Sequence, residues 1–257
     1  MGKTKLKNVD YTMNFWRGCH KVSEGCAHCY ARAQEKRFGR NFDEVVRTRT
    51  WNDPIKWQRE AAKTGEVKKV LTCSISDFFH PGADQWRKEA WAVIRECPNL
   101  IWGILTKRPQ LIEDRLPCDW GEGYPNVCLG VTVELKKYLW RMDTLRDIPA
   151  KARYLMAEPL LEDLMPEIED HVEGFHQIMA GGETGIGYRP MDLQWARNLR
   201  DLCKQHNIRF YFKQSSARLP QTGMTLDGIE HHEYASAWDT YKPASAPPLA
   251  PTLKEAA

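Results

Sequence analysis

Short apolar segments recur along this chain, each running into polar or charged residues, and this recurrence restricts the fold more than any other feature of the sequence. Lys69 to Thr72 leads to Cys73-Ser74-Ile75-Ser76-Asp77, Leu100 to Leu105 to Thr106-Lys107-Arg108, and Val127 to Val133 to Glu134. Arg153 to Met156 then leads to Ala157-Glu158, Gln177 to Ala180 to Gly181-Gly182-Glu183, and Arg209 to Phe212 to Lys213-Gln214. Helical patterns lie between them. Residues Ala27 to Phe38 place Tyr30, Ala31, Gln34 and Phe38 on one face, and a short helix holds Trp57. Asp84 caps a helix with Trp86, Ala90, Val93 and Cys97 spaced four, three and four; another covers Leu135 to Leu145, and Asp192 caps one carrying Trp195, Leu199 and Leu202 inward. Such alternation predicts an α/β fold with a parallel sheet, either doubly wound or a full or partial barrel, and ligands then collect at the carboxyl ends of the strands.

The richest chemistry lies in Gly18 to Tyr30, behind a predicted strand over Met13 to Arg17. Cys19, Cys26 and Cys29 bring three soft donors together in a C-x6-C-x2-C spacing, the requirement for a thiolate metal site or an iron–sulfur cluster. A structural zinc site closes with four ligands, and His20 or His28 would complete a Cys3His set. Three thiolates on a cluster instead leave one iron open, and that is where chemistry happens. Following a strand, the loop opens at the same mouth as the other strand ends. Cys73, Cys97, Cys118, Cys128 and Cys203 stand singly and read as bystanders, since a free cysteine packs as a small hydrophobe.

Other signals are weaker. A formal charge of +3 permits a nucleic-acid or nucleotide partner without arguing for one. No apolar run reaches membrane-spanning length and the Lys-rich start lacks an apolar core, so a cytoplasmic protein is expected. Residues 1–214 read as one domain and 215–257 as an extension, disordered from about residue 243 in its Pro/Ala/Ser-rich part. Gly181 to Gly185 fits neither a dinucleotide-binding nor a P-loop pattern, although consecutive amides there would suit an anion. Lys107, Arg108, Glu158 and Lys213 end strands, where charged groups face the cavity; Lys107, Glu158 and Lys213 are the catalytic candidates. Trp16 and Trp51 are substrate-face candidates, and the basic run Lys36 to Arg49 reads as a solvated face.

The ordered segments Asn14-Phe15-Trp16 through Tyr30-Ala31, Ser74 to His80, Ile104 to Pro109, Pro125 to Glu134, Glu158 to Leu161, Gly181 to Gly185 with Arg189-Pro190-Met191, and Phe212-Lys213-Gln214 resemble the three-cysteine-motif, radical-SAM-like proteins of phages and bacteria, a family of unknown function. The resemblance implies a partial (β/α)6 TIM-like barrel of the radical SAM type. It implies a [4Fe-4S] cluster on Cys19, Cys26 and Cys29, with S-adenosylmethionine (SAM) on the fourth iron, cleaved by an electron donor to a 5′-deoxyadenosyl radical. By strand order Ser74, Ser76 and Asp77 hold the methionine part, and Thr132 with Glu134 the ribose. By motif Gly181-Gly182-Glu183 holds the amine, although that motif usually ends the second strand and here ends a late one. His28 and Tyr30, beside the last cysteine, complete the cofactor-binding set. The first cysteine gap is three residues longer than the commonest radical SAM spacing. Against this enzyme, acting on an unidentified substrate with nucleic acid or a nucleotide as the first choice, stand a non-catalytic zinc or iron–sulfur module and an iron–sulfur protein that does not cleave SAM.

Overall fold

The structure is a computed structural model that describes residues 4, 7, 9–235 and 240–243. The expected disorder from about residue 243 concerns residues that lie, past Pro243, outside the described ones. Among the described residues nine strands form: β1 (Tyr11–Met13), β2 (Trp16–Arg17), β3 (Val46–Arg47), β4 (Lys68–Thr72), β5 (Leu100–Thr106), β6 (Val127–Thr132), β7 (Ala152–Ala157), β8 (Gln177–Gly181) and β9 (Arg209–Gln214). Five α-helices accompany them: α1 (Tyr30–Arg37), α2 (Asp53–Thr64), α3 (Asp84–Arg95), α4 (Trp140–Arg146) and α5 (Leu193–Gln205).

Seven strands make one parallel sheet in the order β1-β4-β5-β6-β7-β8-β9, a curled half-barrel whose edges are β1 and β9. Because spatial order follows chain order, every strand delivers its C-terminal end to one mouth. The chain alternates inward and outward along β7: Tyr154 and Met156 join Ile101, Cys128, Met179 and Tyr211 on one face, while Leu155 and Ala157 pack in the larger cluster shared with the helices. All of β6 is buried, which is why it reads as a continuous apolar run. Two crossovers depart from the expected alternation. Short 3-10 turns at Pro109–Leu111 and Glu113–Arg115 link β5 to β6, and a 3-10 turn at Glu167–His171 links β7 to β8.

The first predicted strand divides in two. Met13 ends β1, paired with Thr72, whereas Trp16–Arg17 leaves the sheet to pair antiparallel with Val46–Arg47. The cause is Asn14, only 3% exposed: its Oδ1 accepts from Ile75 N at 3.0 Å and its Nδ2 donates to Ser74 Oγ at 3.2 Å. An amide side chain thereby turns the chain out of the sheet and into the cysteine loop. Trp16 and Trp51 are core residues and not the expected substrate face. The indole of Trp16 donates to Asp77 O at 3.1 Å, that of Trp51 to Phe15 O at 3.1 Å, and Arg47 stacks on Trp51. Helix α1 starts at Tyr30, later than expected, and turns Ala31 and Glu35 inward while Tyr30 and Phe38 stay exposed. Arg17 and Arg40 pair with the buried Glu35.

After β9 the chain turns back along the edge strand. His232 bridges and stacks on Tyr211, Glu233 O accepts from Gln177 Nε2 at 2.7 Å, and Tyr241 donates to Pro98 O at 2.7 Å. With Lys7 paired to Glu230, this segment ties the chain start, next to the β1 edge, to the β9 edge. Replacing Asn14 with Ala should strand the buried Ile75 amide and lower stability by about 1–3 kcal/mol. Chemical denaturation checks this, and an unchanged midpoint would show that Asn14 does not organise the bend.

Candidate functional site

The strand ends and the cysteine loop enclose a cavity of about 230 Å³. Cys19, Cys26 and Cys29 all line it, each a free thiol of intermediate exposure. Lys107, Glu158, Lys213, His28, Tyr30, Ser74, Ser76, Asp77, Thr132, Gly182 and Glu183 line it as well, while Glu134 and Gly181 do not.

Three buried carboxylates, from the ends of alternate strands, fasten the cysteine loop over this mouth. Asp77, past the end of β4, accepts from Thr106 Oγ1 at 2.7 Å, Phe79 N at 2.9 Å, Lys107 N at 3.1 Å and Arg108 Nη1 at 3.0 Å. The Arg108 guanidinium so oriented donates to His20 O at 2.8 Å and to Cys19 Sγ at 3.5 Å. Glu134, past the end of β6 and 0% exposed, accepts from Ser23 Oγ at 2.7 Å and is paired to Lys107 at 2.6 Å and Arg141 at 2.9 Å. The loop touches Glu134 so closely that a Cβ on Gly25 would sit 2.2 Å from Oε1, so glycine is required there. Glu183, past the end of β8 and 5% exposed, accepts from His28 Nδ1 at 2.9 Å and Arg189 N at 2.8 Å and is paired to the Arg189 side chain. Ser23 Oγ also lies 3.7 Å from Cys26 Sγ.

The electrostatics follow from this packing. Burial, then the Asp77 charge, pushes the Cys19 thiol up to about 11, with Arg108 opposing. Such a thiol gives up its proton when a metal takes its place. Burial would raise Glu183, but hydrogen bonds from Arg189 and His28 hold its carboxyl at about 2. Burial likewise opposes ionisation of Glu134, and Lys107 and Arg141 more than offset it, so its pKa is lowered. His80 Nδ1 accepts from Gly82 N at 3.0 Å, so its Nε2 carries the proton and donates to His20 Nδ1 at 2.9 Å. Burial and the neighbouring Arg108 lower His80 to about 4. The Tyr30 hydroxyl donates to Ser74 O, and burial with the nearby Cys29 and Glu158 charges raises its pKa, while its ring is 57% exposed.

The donor set fits a cluster. Three unpaired thiols share one rim beside the Arg108 cation, which compensates anionic sulfur. Among the described residues no three His, Cys, Asp or Glu side chains converge as a single ion demands. A cubane makes no such demand, because each thiolate meets its own iron. The two rings that would complete a zinc set are each held through Nδ1, His28 by Glu183 and His20 by His80, which leaves Nε2 of each available to a ligand. Arg108 lines the cavity as its strand-end position predicted, while Cys73 and Thr72 are cavity residues that the sequence did not assign to a ligand-binding set. The mixed polar ending of β4 was the available signal for those two.

A family model matches residues 3–235. The chain belongs to that family, described as protein of unknown function (DUF5131). No curated protein matches it. Among solved structures it is similar to spore photoproduct lyase complexed with dinucleoside spore photoproduct, at 12% identity and a TM-score of 0.53, over 85% of this chain and 79% of that one. It is also similar to a double mutant of spore photoproduct lyase with bound AdoMet and dinucleoside spore photoproduct, at 13% identity and a TM-score of 0.51, over 80% of this chain and 64% of that one. At such identity the likeness is one of fold, an α/β partial barrel with a curled parallel sheet. No helix among the described residues is long and apolar enough to cross a membrane.

The Glu183 tether has a pH signature. Its carboxyl is depressed in the folded chain from 4.5 to about 2, so its contribution is fully present above 4.5 and lost as pH falls toward 2. Glu183→Gln should therefore lower the denaturation midpoint near neutral pH and bring the two proteins together in acid. Parallel pH profiles of variant and wild type would contradict the tether.

Proposed function

We propose that this protein is a radical-SAM-type iron–sulfur enzyme acting on a nucleic-acid or nucleotide substrate. The observation that carries the reading is the position of Cys19, Cys26 and Cys29 on the rim of a half-barrel cavity to which every strand of the parallel sheet delivers its C-terminal end. In this reading the three thiolates hold a [4Fe-4S] cluster, which with SAM and an electron donor supplies reductive cleavage of the sulfonium and a carbon-centred radical for hydrogen abstraction. Spore photoproduct lyase, the structural relative, is complexed with a dinucleoside and in one structure with AdoMet, which supports both the cofactor and the substrate class.

The residues of this chain do the rest. Arg108 balances charge at Cys19 and holds the backbone at His20. Asp77, Glu134 and Glu183 fix the loop and have their acceptor capacity largely taken by protein donors, so their role is positioning. Of the two placements for the SAM amine, neither Asp77 nor Glu183 suits a ligand, since each already takes four protein donor contacts, and Glu134, expected at the ribose, is fully enclosed. Ser74, Thr132 and the Gly182 backbone line the cavity and are the groups placed to meet the cofactor. Leu71, Leu105 and Met156 give part of the cavity lining an apolar character, which helps to keep water from a reactive carbon centre.

Anaerobic reconstitution with iron and sulfide should load about four irons per chain. Reduced protein given SAM should then form 5′-deoxyadenosine, and Cys19→Ser, Cys26→Ser or Cys29→Ser should abolish both iron loading and product. Stoichiometric zinc with no reducible cluster would instead support a binding module. A reducible cluster that yields no 5′-deoxyadenosine would support an iron–sulfur protein without SAM cleavage.

A further inference from the structure

Three acidic residues line the cavity, and two of them, Asp77 and Glu183, are enclosed by four protein donor contacts each. Glu158 differs. It follows β7, and its carboxylate meets Lys213 Nζ at 2.7 Å through both oxygens, with Gln214 Nε2 at 3.2 Å on Oε1 alone. Side-chain exposures of 16% for Glu158 and 24% for Lys213 leave the pair open to the cavity. A Cβ on Gly181 would lie 3.3 Å from Glu158 Cδ and 3.4 Å from Lys213 Cβ, so the glycine that the sequence assigned to the cofactor makes room for this pair.

The pair's remaining hydrogen-bonding capacity is specific. An ammonium has three N–H donors, of which Glu158 takes two; Oε2 accepts from Lys213 only. One donor and one acceptor therefore face the cavity side by side. A second, independent group points the same way: Thr72 is 1% exposed, lines the cavity, and its hydroxyl has no partner. The cavity is also lined by the apolar side chains of Leu71, Leu105 and Met156 and by Tyr30, whose aromatic ring offers a face for stacking. A planar group carrying an N–H beside a carbonyl or ring nitrogen satisfies this arrangement, and nucleobases carry such an edge.

Resting on the nucleic-acid reading above, we infer that Glu158 and Lys213 form a specificity site that reads the hydrogen-bonding edge of an unstacked base, Lys213 donating to the base acceptor and Glu158 accepting from its N–H.

Fluorescence anisotropy of the full chain, before and after anaerobic reconstitution, tests this with labelled oligothymidylate and the same oligomer built from N3-methylthymidine, which lacks the N–H. Wild type should prefer the unmethylated strand about tenfold or more, as one paired base edge supplies. Lys213→Met and Glu158→Gln should each bind the two strands alike, at an unchanged thermal midpoint. Equal binding of both strands by wild type overturns the assignment and needs no variant to fold. Lys213→Met that weakens both strands equally while the preference persists identifies a phosphate contact and overturns it too. Because binding is read without turnover, a chain that forms no cluster yet keeps the preference defeats the radical chemistry and leaves the base-edge site standing.

Discussion

Ionic hydrogen bonding between the cysteine loop and three strand-end carboxylates is the constraint on which this site depends. A loop carrying three cysteines would ordinarily be mobile. Here Asp77 acts through Arg108 on Cys19 and His20, Glu134 binds Ser23, and Glu183 binds His28. The anchors come from β4, β6 and β8, so the loop is stretched across the mouth and not hinged at one side. A buried carboxylate is strongly unfavourable without partners, and each of these has a cation beside it: Arg108, Lys107 with Arg141, and Arg189. Removing Asp77 or Glu134 would leave a buried positive charge uncompensated, Arg108 or Arg141, as well as a loop segment released, while removing Glu183 would free His28 and the partly exposed Arg189.

This arrangement divides the polar residues of the mouth into two populations. Those whose hydrogen bonds close within the protein set the geometry of the sulfurs. Those with capacity left over, chiefly Glu158, Lys213 and Thr72, face the space that remains. Cys19, Arg108 and Asp77 lie toward β4 and β5, while Glu158 and Lys213 lie at the ends of β7 and β9.

Much of this was legible in the sequence, because parallel strands buried on both faces read as apolar runs and their polar termini mark the mouth. The strand ends at Asp77, Lys107, Glu158 and Lys213 and the cysteine spacing follow from such local patterns. What was not legible depends on distant contacts. Asn14 ends β1 by bonding Ile75 some sixty residues away, a turn that propensity does not encode. Glu134 reads as a ligand contact until Ser23, Lys107 and Arg141 are seen to enclose it. Trp16 and Trp51 looked like stacking surfaces and are core, since their indole N–H groups find backbone carbonyls. Gly181-Gly182 matched a cofactor motif, yet packing explains both glycines: the first clears the Glu158–Lys213 pair, and a Cβ on the second would lie 2.2 Å from Ser216 N.

The central claim is that three cysteines, held over a cavity by buried acids, leave one iron of a cluster open to a ligand from inside it. Electron paramagnetic resonance of the reconstituted, reduced protein with and without SAM tests this most directly. The account predicts a [4Fe-4S]⁺ signal whose g values shift when SAM is added, because the sulfonium donor's amine and carboxylate reach the open iron. A cluster spectrum indifferent to SAM, or a protein in which the three sulfurs bind no iron, would contradict it.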